Sequence, residues 1–261
     1  MSAGPRRVQA TFWLLDAPDS LAVQSHQNAD GTGIGYFDAE GAPRLDKQPI
    51  AAFEDREFAS EAREVWSRTF VSHVRHATTG DLALVNTHPF CLRNRLFAHN
   101  GVIGDLSKLE RELGGYREMV QGETDSERYF ALITREIDRR DGDVGAGISA
   151  AVRWVADNLP ILSINFVLIT SSELWALRYP ETHSLFLLQR SAGGNSPASS
   201  AALDQTSSHG TRVQSEAART QSTMIIASER MDDDEGWREV ASGELIHVDD
   251  SLRLQTERVL T

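Results

Sequence analysis

Six short apolar segments follow one another in the C-terminal half of the chain, and they constrain its fold more than any other feature. They read SINFVLIT, ELWALRY, SLFLLQR, TMIIASE, GELIHVD and RLQTERVL. Each is rich in β-branched, aromatic or leucine side chains and is bounded by polar residues, which is typical of a β-strand. Most connections between them are too short for a crossover helix, so we predict an antiparallel sheet.

The N-terminal half mixes helical and strand patterns. Apolar residues recur at helical spacing in DREFASEAREVWSRT, SERYFALITREIDRR and GAGISAAVRWVADNLP, the last of which should end before Pro160. GTGIGYFD and TFVSHVRHAT have the composition of strands. Helices gathered together and strands gathered together predict an α+β fold, not a doubly wound parallel sheet.

One stretch differs in composition from the rest. Residues 191–222 are rich in Ser, Ala, Gly, Gln and Thr and nearly free of large apolar side chains. Such a segment cannot bury enough apolar surface to offset the entropy lost on ordering. We predict a disordered loop between two strands, within a single domain that covers residues 1–261.

Charge and cysteine content exclude several classes of partner. The formal net charge is −12, which repels the phosphate backbone of nucleic acids. No apolar run is long enough to span a bilayer, and the block FWLL near the start is too short for a signal peptide. Cys91 is the only cysteine, so no intrachain disulfide can form. We expect a cytoplasmic protein that binds neither nucleic acid nor membrane.

The dipeptide Asn100–Gly101 lies in LFAHNGVIGD, between two apolar stretches. An Asn-Gly pair in this setting is a strong short-range signal for a type I′ hairpin turn. The same pair offers a side-chain amide and a glycine N–H, which would stabilise an oxyanion if both pointed at one oxygen. The local sequence favours the turn, and both interpretations hold if the turn sets the two donors side by side.

Two residues of opposite charge are candidates for ligand binding. Arg75 ends the predicted strand in FVSHVRHATTG, where a guanidinium would bind a carboxylate with two hydrogen bonds; a solvent-facing charge is the simpler interpretation. Asp125 lies in GETDSERYF, where Thr124 and Glu127 have the spacing of a capping box. Helix initiation explains that motif, and an inward-facing Asp125 would also bind an ammonium group.

Other motifs have structural explanations. His88 in NTHPF and the single Cys91 have no sequence neighbours that would make them a catalytic pair. No helix pattern follows the glycines of NADGTGIGYF, which favours close backbone packing over phosphate binding. The acidic stretch MDDDEGW lacks the spacing of a calcium loop and is interpreted as a solvated turn.

Taken together, the candidates describe one pocket. Arg75 suits an α-carboxylate and Asp125 an α-ammonium group. Asn100 and Gly101 suit the oxyanion of an acyl transfer. A pocket with these groups would hold an amino acid whose side-chain amide is attacked, which is glutamine.

Four stretches match a known family in its order and at its usual separations. SHVRHATTG, NTHPF, LFAHNGVIGD and GETDSE resemble the class II glutamine amidotransferases, which are N-terminal nucleophile hydrolases. IIASERMDDDEGWREV resembles the tail of a compact, single-domain branch that includes γ-glutamyl amidohydrolases of the ergothioneine pathway. The resemblance runs from about Gln24 to Val248 and implies a four-layer αββα sandwich of two mostly antiparallel sheets.

The resemblance also implies roles for individual residues. Arg75 would bind the glutamine α-carboxylate, with Thr78 and His88 near it. Asp125 would hold the α-ammonium group. The resemblance assigns the oxyanion hole to the pair described above, Asn100 and Gly101.

The start of the chain departs from the family. The family's nucleophile is a cysteine exposed at position 1 after removal of the initiator methionine. Its own α-amino group serves as the base, since an amine pKa near ~8 suits that task at neutral pH. A short apolar strand follows. This chain begins MSAGPRRVQ, without a cysteine or a strand pattern.

Three interpretations of this departure remain open. In the first, which we favour because the rest of the site is retained, the natural chain starts earlier and Met1 is an alternative start codon within the reading frame. The N-terminal strand and the nucleophile would then precede SAGPRR. In the second, Ser2 is the nucleophile after methionine removal, although Gly4–Pro5 disfavours the strand that must present it. In the third, the protein binds glutamine or a γ-glutamyl ligand without catalysis.

The expected activity follows from the first interpretation. A thiolate would attack the side-chain amide of glutamine or of a γ-glutamyl compound and release ammonia or an amine. Water or an acceptor would then resolve the γ-glutamyl thioester. No metal or organic cofactor is implied. If the ammonia is transferred, its acceptor site should lie on a partner enzyme.

Overall fold

The computed structural model describes residues 1–76, 80–193 and 221–261. In those ranges the chain forms twelve strands and five α-helices. The strands are β1 (Thr32–Phe37), β2 (Pro43–Gln48), β3 (Phe70–Val74), β4 (Phe90–Leu92), β5 (Arg95–Ile103), β6 (Ile161–Ile169), β7 (Leu174–Leu177), β8 (Phe186–Arg190), β9 (Thr223–Ala227), β10 (Trp237–Glu239), β11 (Glu244–Val248) and β12 (Leu254–Arg258). The helices are α1 (Leu21–Gln24), α2 (Arg56–Glu64), α3 (Leu106–Leu113), α4 (Asp125–Asp138) and α5 (Val144–Asn158).

The strands form two stacked layers. One layer is a six-stranded sheet of order β12-β11-β7-β6-β5-β4. The other holds two three-stranded sheets, β2-β1-β3 and β10-β8-β9, which are joined because Ser2 pairs with both Thr69 and Met224. Every one of these pairings is antiparallel, as predicted for the C-terminal half. The six predicted C-terminal strands do not form one sheet, however, because β6, β7, β11 and β12 lie in the six-stranded sheet and β8 and β9 in the other layer. As the sequence predicts, the start of the chain forms no regular strand, since the first strand is β1 and Ser2 and Val8 make only isolated bridges.

Side chains alternate across the six-stranded sheet and build a core on each face. On β5, Phe97 points to the helices, where its ring stacks on Phe130 of α4 at 4.7 Å between centroids. Its neighbours Leu96 and Ala98 point to the opposite core between the two strand layers. Further apolar clusters lie on the outer side of the second layer, beneath α2 and the N-terminal segment. The predicted αββα sandwich is confirmed.

The helices follow the apolar periodicity of the sequence. The three predicted helices correspond to α2, α4 and α5, and α5 ends at Asn158, before Pro160. Helices α1 and α3 and strands β2, β4, β5 and β10 were not predicted. Of the predicted disordered loop at 191–222, residues 194–220 lie outside the described ranges, as does Thr78. Among the described residues, no helix has the length and apolar character needed to cross a membrane.

The hairpin turn predicted at Asn100–Gly101 is wrong. Strand β5 continues through both residues, and Asn100 pairs with Asn165 of β6. The two-residue turn lies earlier, at Arg93–Asn94, where both residues have positive φ angles of 49° and 56°. A type I′ turn requires positive φ at both central positions, and Arg93–Asn94 meets that requirement.

The solvated turn predicted for MDDDEGW is correct only for the exposed turn at residues 235–236. The carboxylate of Asp232 is buried, accepts a hydrogen bond from Arg190 at 2.7 Å and another from the indole N–H of Trp237 at 2.7 Å. Asp234 is buried as well. This acidic stretch therefore anchors the chain that follows β9 through a buried ion pair.

Glu61 on α2 makes stability depend on pH. Burial and the charges of Asp46, Asp55 and Glu57 raise the pKa of Glu61 to about 7. The folded state therefore holds this proton more tightly than the unfolded state, and stability falls as pH rises from about 4.5 to 7. Because Glu61 is only half-buried, we expect Glu61→Gln to add about 1 kcal/mol above pH 7, or about 2–4 °C in Tm.

Thermal unfolding at pH 5 and pH 8 checks this expectation. The Glu61→Gln variant should gain Tm at pH 8 and little at pH 5, where Glu61 is already neutral. Glu64→Gln, an exposed site on the same helix, is the matched control. An equal gain at both pH values would contradict the assignment.

Candidate active site

A cavity of about 510 Å³ lies between the two strand layers. All of the sequence-predicted site residues within the described ranges line it, namely Arg75, His88, Asn100, Gly101 and Asp125. These residues come from the end of β3, the segment before β4, the middle of β5 and the start of α4. Thr78 lies outside the described residues. The fold therefore brings together the groups that separate sequence motifs suggested.

Arg75 is buried at the end of β3, with 4% of its surface exposed. Its backbone continues the sheet, because its N–H donates to the Gly31 carbonyl at 2.8 Å. Its guanidinium donates to the carbonyls of Gly80 and Asp81 at 3.1 and 3.3 Å. Burial lowers the pKa of Arg75 and Asp30 opposes the change, but a guanidinium stays protonated in proteins. The solvent-facing interpretation of Arg75 is wrong.

Asp125 begins α4 and is 2% exposed. Its carboxylate accepts a hydrogen bond from the N–H of Ile103 at 2.8 Å, which ties the helix to the end of β5. Thr124 caps the helix by accepting from the N–H of Glu127 at 3.2 Å, as the capping box predicts. The Glu127 carboxylate instead accepts from the N–H groups of Gln121 and Gly122. Asp125 thus combines helix initiation with a place in the cavity wall.

Asn100 and Gly101 lie side by side in the wall formed by β5. The Asn100 amide donates to the Ser228 hydroxyl at 3.2 Å, and the Asn100 carbonyl accepts from the Ser163 hydroxyl at 3.1 Å. A side chain at Gly101 would collide with the Ser163 carbonyl and with the His99 ring. Glycine is therefore required here by the close approach of β6, not by a turn.

Of the five histidines in the described ranges that line the cavity, three are held in their neutral form by burial, namely His73, His88 and His99. Burial, with the charges of His99 and Arg75, lowers the pKa of His73 to about 4. Burial also lowers the pKa of His88 well below its ordinary value, and it lowers that of His99 although Asp125 opposes the change. The cavity therefore combines neutral imidazoles with the buried charges of Arg75 and Asp125.

His88 packs between two rings, with centroids 4.4 Å from His73 and 4.6 Å from Phe90. Neither ring nitrogen of His88 has a hydrogen-bond partner in the part of the chain that the structure describes. A buried imidazole of this kind can bond to a polar ligand in the cavity.

The first residues of the chain lie at one end of the cavity. Met1 lines it, and the Met1 α-amino group donates to the Phe70 carbonyl at 2.8 Å. Burial lowers the pKa of this amino group to about 5, so it is neutral at pH 7. Ser2 is fully buried and does not line the cavity. Cys91 does not line it either, and burial raises the pKa of its thiol.

Several residues of the site were not predicted from the sequence. His99, Ser126 and Ser228 line the cavity and hold the predicted residues in place. His99 lies in LFAHNGVIGD and Ser228 lies in IIASER, but nothing in the local sequence of either residue indicates these contacts. Among the described residues, no group of three or more His, Cys, Asp and Glu is arranged to hold a metal ion.

Comparison with known proteins gives a consistent result. A family model described as "Glutamine amidotransferases class-II" matches residues 19–259. A "Probable glutamine amidotransferase" of Saccharomyces cerevisiae is 33% identical over 135 residues, which is 45% of this chain and 38% of the relative. The γ-glutamyl-hercynylcysteine sulfoxide hydrolase of Mycolicibacterium smegmatis is 27% identical over 249 residues, 91% of this chain and 89% of the relative.

A solved structure supports the fold. A glutamine aminotransferase class-II domain protein from Silicibacter pomeroyi superposes with a TM-score of 0.60 at 20% sequence identity. The match covers 89% of this chain and 92% of that one. At this identity the likeness concerns the fold alone.

Proposed function

Because the chain belongs to the class II glutamine amidotransferases, we propose that it cleaves the side-chain amide of glutamine or of a γ-glutamyl compound through a γ-glutamyl thioester. The observation that carries this proposal is the single cavity that joins Arg75, Asp125, Asn100 and Gly101. Buried groups of opposite charge suit the two ends of an α-amino acid. Adjacent amide donors suit the oxyanion formed at its side-chain carbonyl.

The reaction has two steps. In the first, a thiolate attacks the carbonyl carbon of the amide, and the oxygen becomes an oxyanion that the Asn100 amide and the Gly101 N–H stabilise. The intermediate collapses, the C–N bond breaks, and the protonated amine or ammonia leaves. In the second, water attacks the thioester and releases the γ-carboxylate and the thiol. Transfer of the ammonia would require an acceptor enzyme as partner.

A slot in the second strand layer supports a position for the nucleophile. Strands β3 and β9 are the edges of their three-stranded sheets, and Met1–Ala3 pairs between them. The cavity begins where this paired segment ends, beyond Met1. Residues 71–74 line one side of it and residues 225–228 line the other. We propose that residues preceding Met1 in the natural chain extend the pairing into the cavity and present the cysteine there.

The register of the pairing supports a specific position for that cysteine. Ser2 lies opposite Thr69 and Met224, and each step toward the N-terminus advances one residue along both antiparallel partners. The third residue before Met1 would therefore lie between His73 and Ser228. Ser228 accepts a hydrogen bond from Asn100, so this position adjoins the proposed oxyanion hole. Ser2 itself lies outside the cavity wall, which argues against Ser2 as the nucleophile.

Binding without catalysis is the second candidate function. It is favoured by one observation, namely that Cys91 is the only cysteine of the sequence and packs beside the core between the strand layers. The pocket for an α-amino acid would then serve recognition alone.

The relatives and the site support the proposed substrate class. The Mycolicibacterium smegmatis relative is named for hydrolysis of a γ-glutamyl compound, and it is similar to this chain over most of both lengths. The proposed pocket recognises the α-amino and α-carboxyl groups, which glutamine and γ-glutamyl amides share. We therefore extend the proposed substrates from glutamine to γ-glutamyl amides.

An assay of amide hydrolysis tests the proposal. Protein purified from its native cells should release ammonia from glutamine or amine from γ-glutamyl amides. It should leave β-aspartyl amides intact, because their shorter side chain does not carry the carbonyl to the donors. Binding of glutamine without turnover would favour the second function, and neither binding nor turnover would exclude both.

A further inference from the structure

His99 lies beneath the proposed oxyanion hole and is 2% exposed. Its Nε2 lies 3.2 Å from the Ser163 carbonyl, which only accepts hydrogen bonds, so Nε2 carries the proton. In the neutral ring, Nδ1 then accepts from the Ser126 hydroxyl at 2.8 Å. The ring therefore has one defined tautomer and uses both nitrogens.

These bonds connect two parts of the proposed site. Ser126 follows Asp125 in the first turn of α4. Ser163 lies on β6, where its hydroxyl donates to the Asn100 carbonyl at 3.1 Å. His99 thus stands in a hydrogen-bonded chain that runs from the helix carrying Asp125 to the backbone of Asn100.

We propose that His99 is a positioning residue that fixes the Asn100–Gly101 donors of β5 relative to Asp125 of α4. The inference rests on the proposed function, since it assigns His99 to the same site. Asp125 keeps a second link to β5, the bond from the Ile103 N–H, so its position depends less on His99. Loss of the imidazole should therefore affect the oxyanion donors more than the binding of the α-ammonium group.

Substitution of His99 tests the proposal. His99→Phe preserves most of the volume and removes both hydrogen bonds. We expect kcat for amide hydrolysis to fall by about 10- to 100-fold, by analogy with residues that orient the ligands of a metal, with KM changed less than about threefold. His99→Gln, whose amide N–H can still donate to Ser163, should recover most of the activity.

A double-mutant cycle separates positioning from a structural role. If His99 acts through Asn100, His99→Phe should cost less than about threefold in an Asn100→Ala background. His247→Phe is the matched control, because His247 lies on β11 of the same sheet, stacks on Trp175 and does not line the cavity. Additive losses at His99 and Asn100 would overturn the proposal.

A spectroscopic readout keeps the test independent of turnover. In His99→Phe, the side-chain amide resonances of Asn100 should shift, and the amide protons should exchange faster with solvent. The Tm of the variant should stay close to that of the wild type. An unchanged Asn100 amide would refute the proposal for His99. Absence of hydrolysis by the wild type would instead refute the proposed function, and the resonances would still decide the role of His99.

Discussion

Replacing Asn100 with alanine is expected to lower kcat by about 10²–10³-fold, which is the usual effect of removing one oxyanion donor. The Asn100 side chain faces the cavity and donates to the Ser228 hydroxyl with its amide nitrogen. An NH₂ group has two N–H bonds, so this contact leaves one for a ligand and limits rotation of the amide. The donor acts on the charge that develops in the transition state, and KM should change little.

Steady-state kinetics and glutamine titration check this prediction together. Asn158→Ala is the matched control, since Asn158 ends α5 and does not line the cavity. Turnover equal to that of the control would remove Asn100 from the oxyanion hole. A fall in glutamine affinity with unchanged kcat would assign Asn100 to ground-state binding instead.

Replacing Asp125 with asparagine is expected to raise KM by at least about thirtyfold. Removal of one partner from a buried, hydrogen-bonded charge pair costs about 2–5 kcal/mol, and each 1.4 kcal/mol is about tenfold in affinity. Asparagine keeps an oxygen that can accept from the Ile103 N–H, so the link between α4 and β5 survives. The loss should therefore come from the ligand's ammonium group and not from unfolding.

A substrate analogue makes the test specific. 4-Carbamoylbutanoate is glutamine without its α-amino group. The wild type should bind it much more weakly than glutamine, whereas Asp125→Asn should bind the two with similar affinity. Asp157→Asn, an exposed position on α5, is the control variant. Equal discrimination by the wild type and Asp125→Asn would show that another group recognises the ammonium.

The sequence was informative wherever local periodicity decides the structure. Helix α4 was predicted from apolar residues at helical spacing and β6 from a short apolar run, and both patterns hold although each element is buried along most of its length. At Asn100–Gly101 the local turn signal gave the wrong result, because pairing with β6 holds both residues in an extended strand. Long-range pairing outweighed a local preference there.

The residues of the candidate site likewise fall into those that the sequence predicted and those that it did not. Arg75 and Asp125 carry charges that make them candidates for ligand binding from the sequence alone, and both line the cavity. The contacts of His99 join it to residues 27 and 64 positions away, and no local pattern encodes such distances. Residues that hold a site together are therefore harder to predict than residues that carry its charge.

Covalent trapping of the nucleophile tests the central claim most directly. Protein purified from its native cells would be incubated with 6-diazo-5-oxo-L-norleucine, a reactive glutamine analogue, and its N-terminal peptide analysed by mass spectrometry. We predict one adduct, on a mature N-terminal cysteine that precedes the SAGPRR segment. A mature chain that starts at Met1 or Ser2 and carries no adduct would contradict the thioester mechanism.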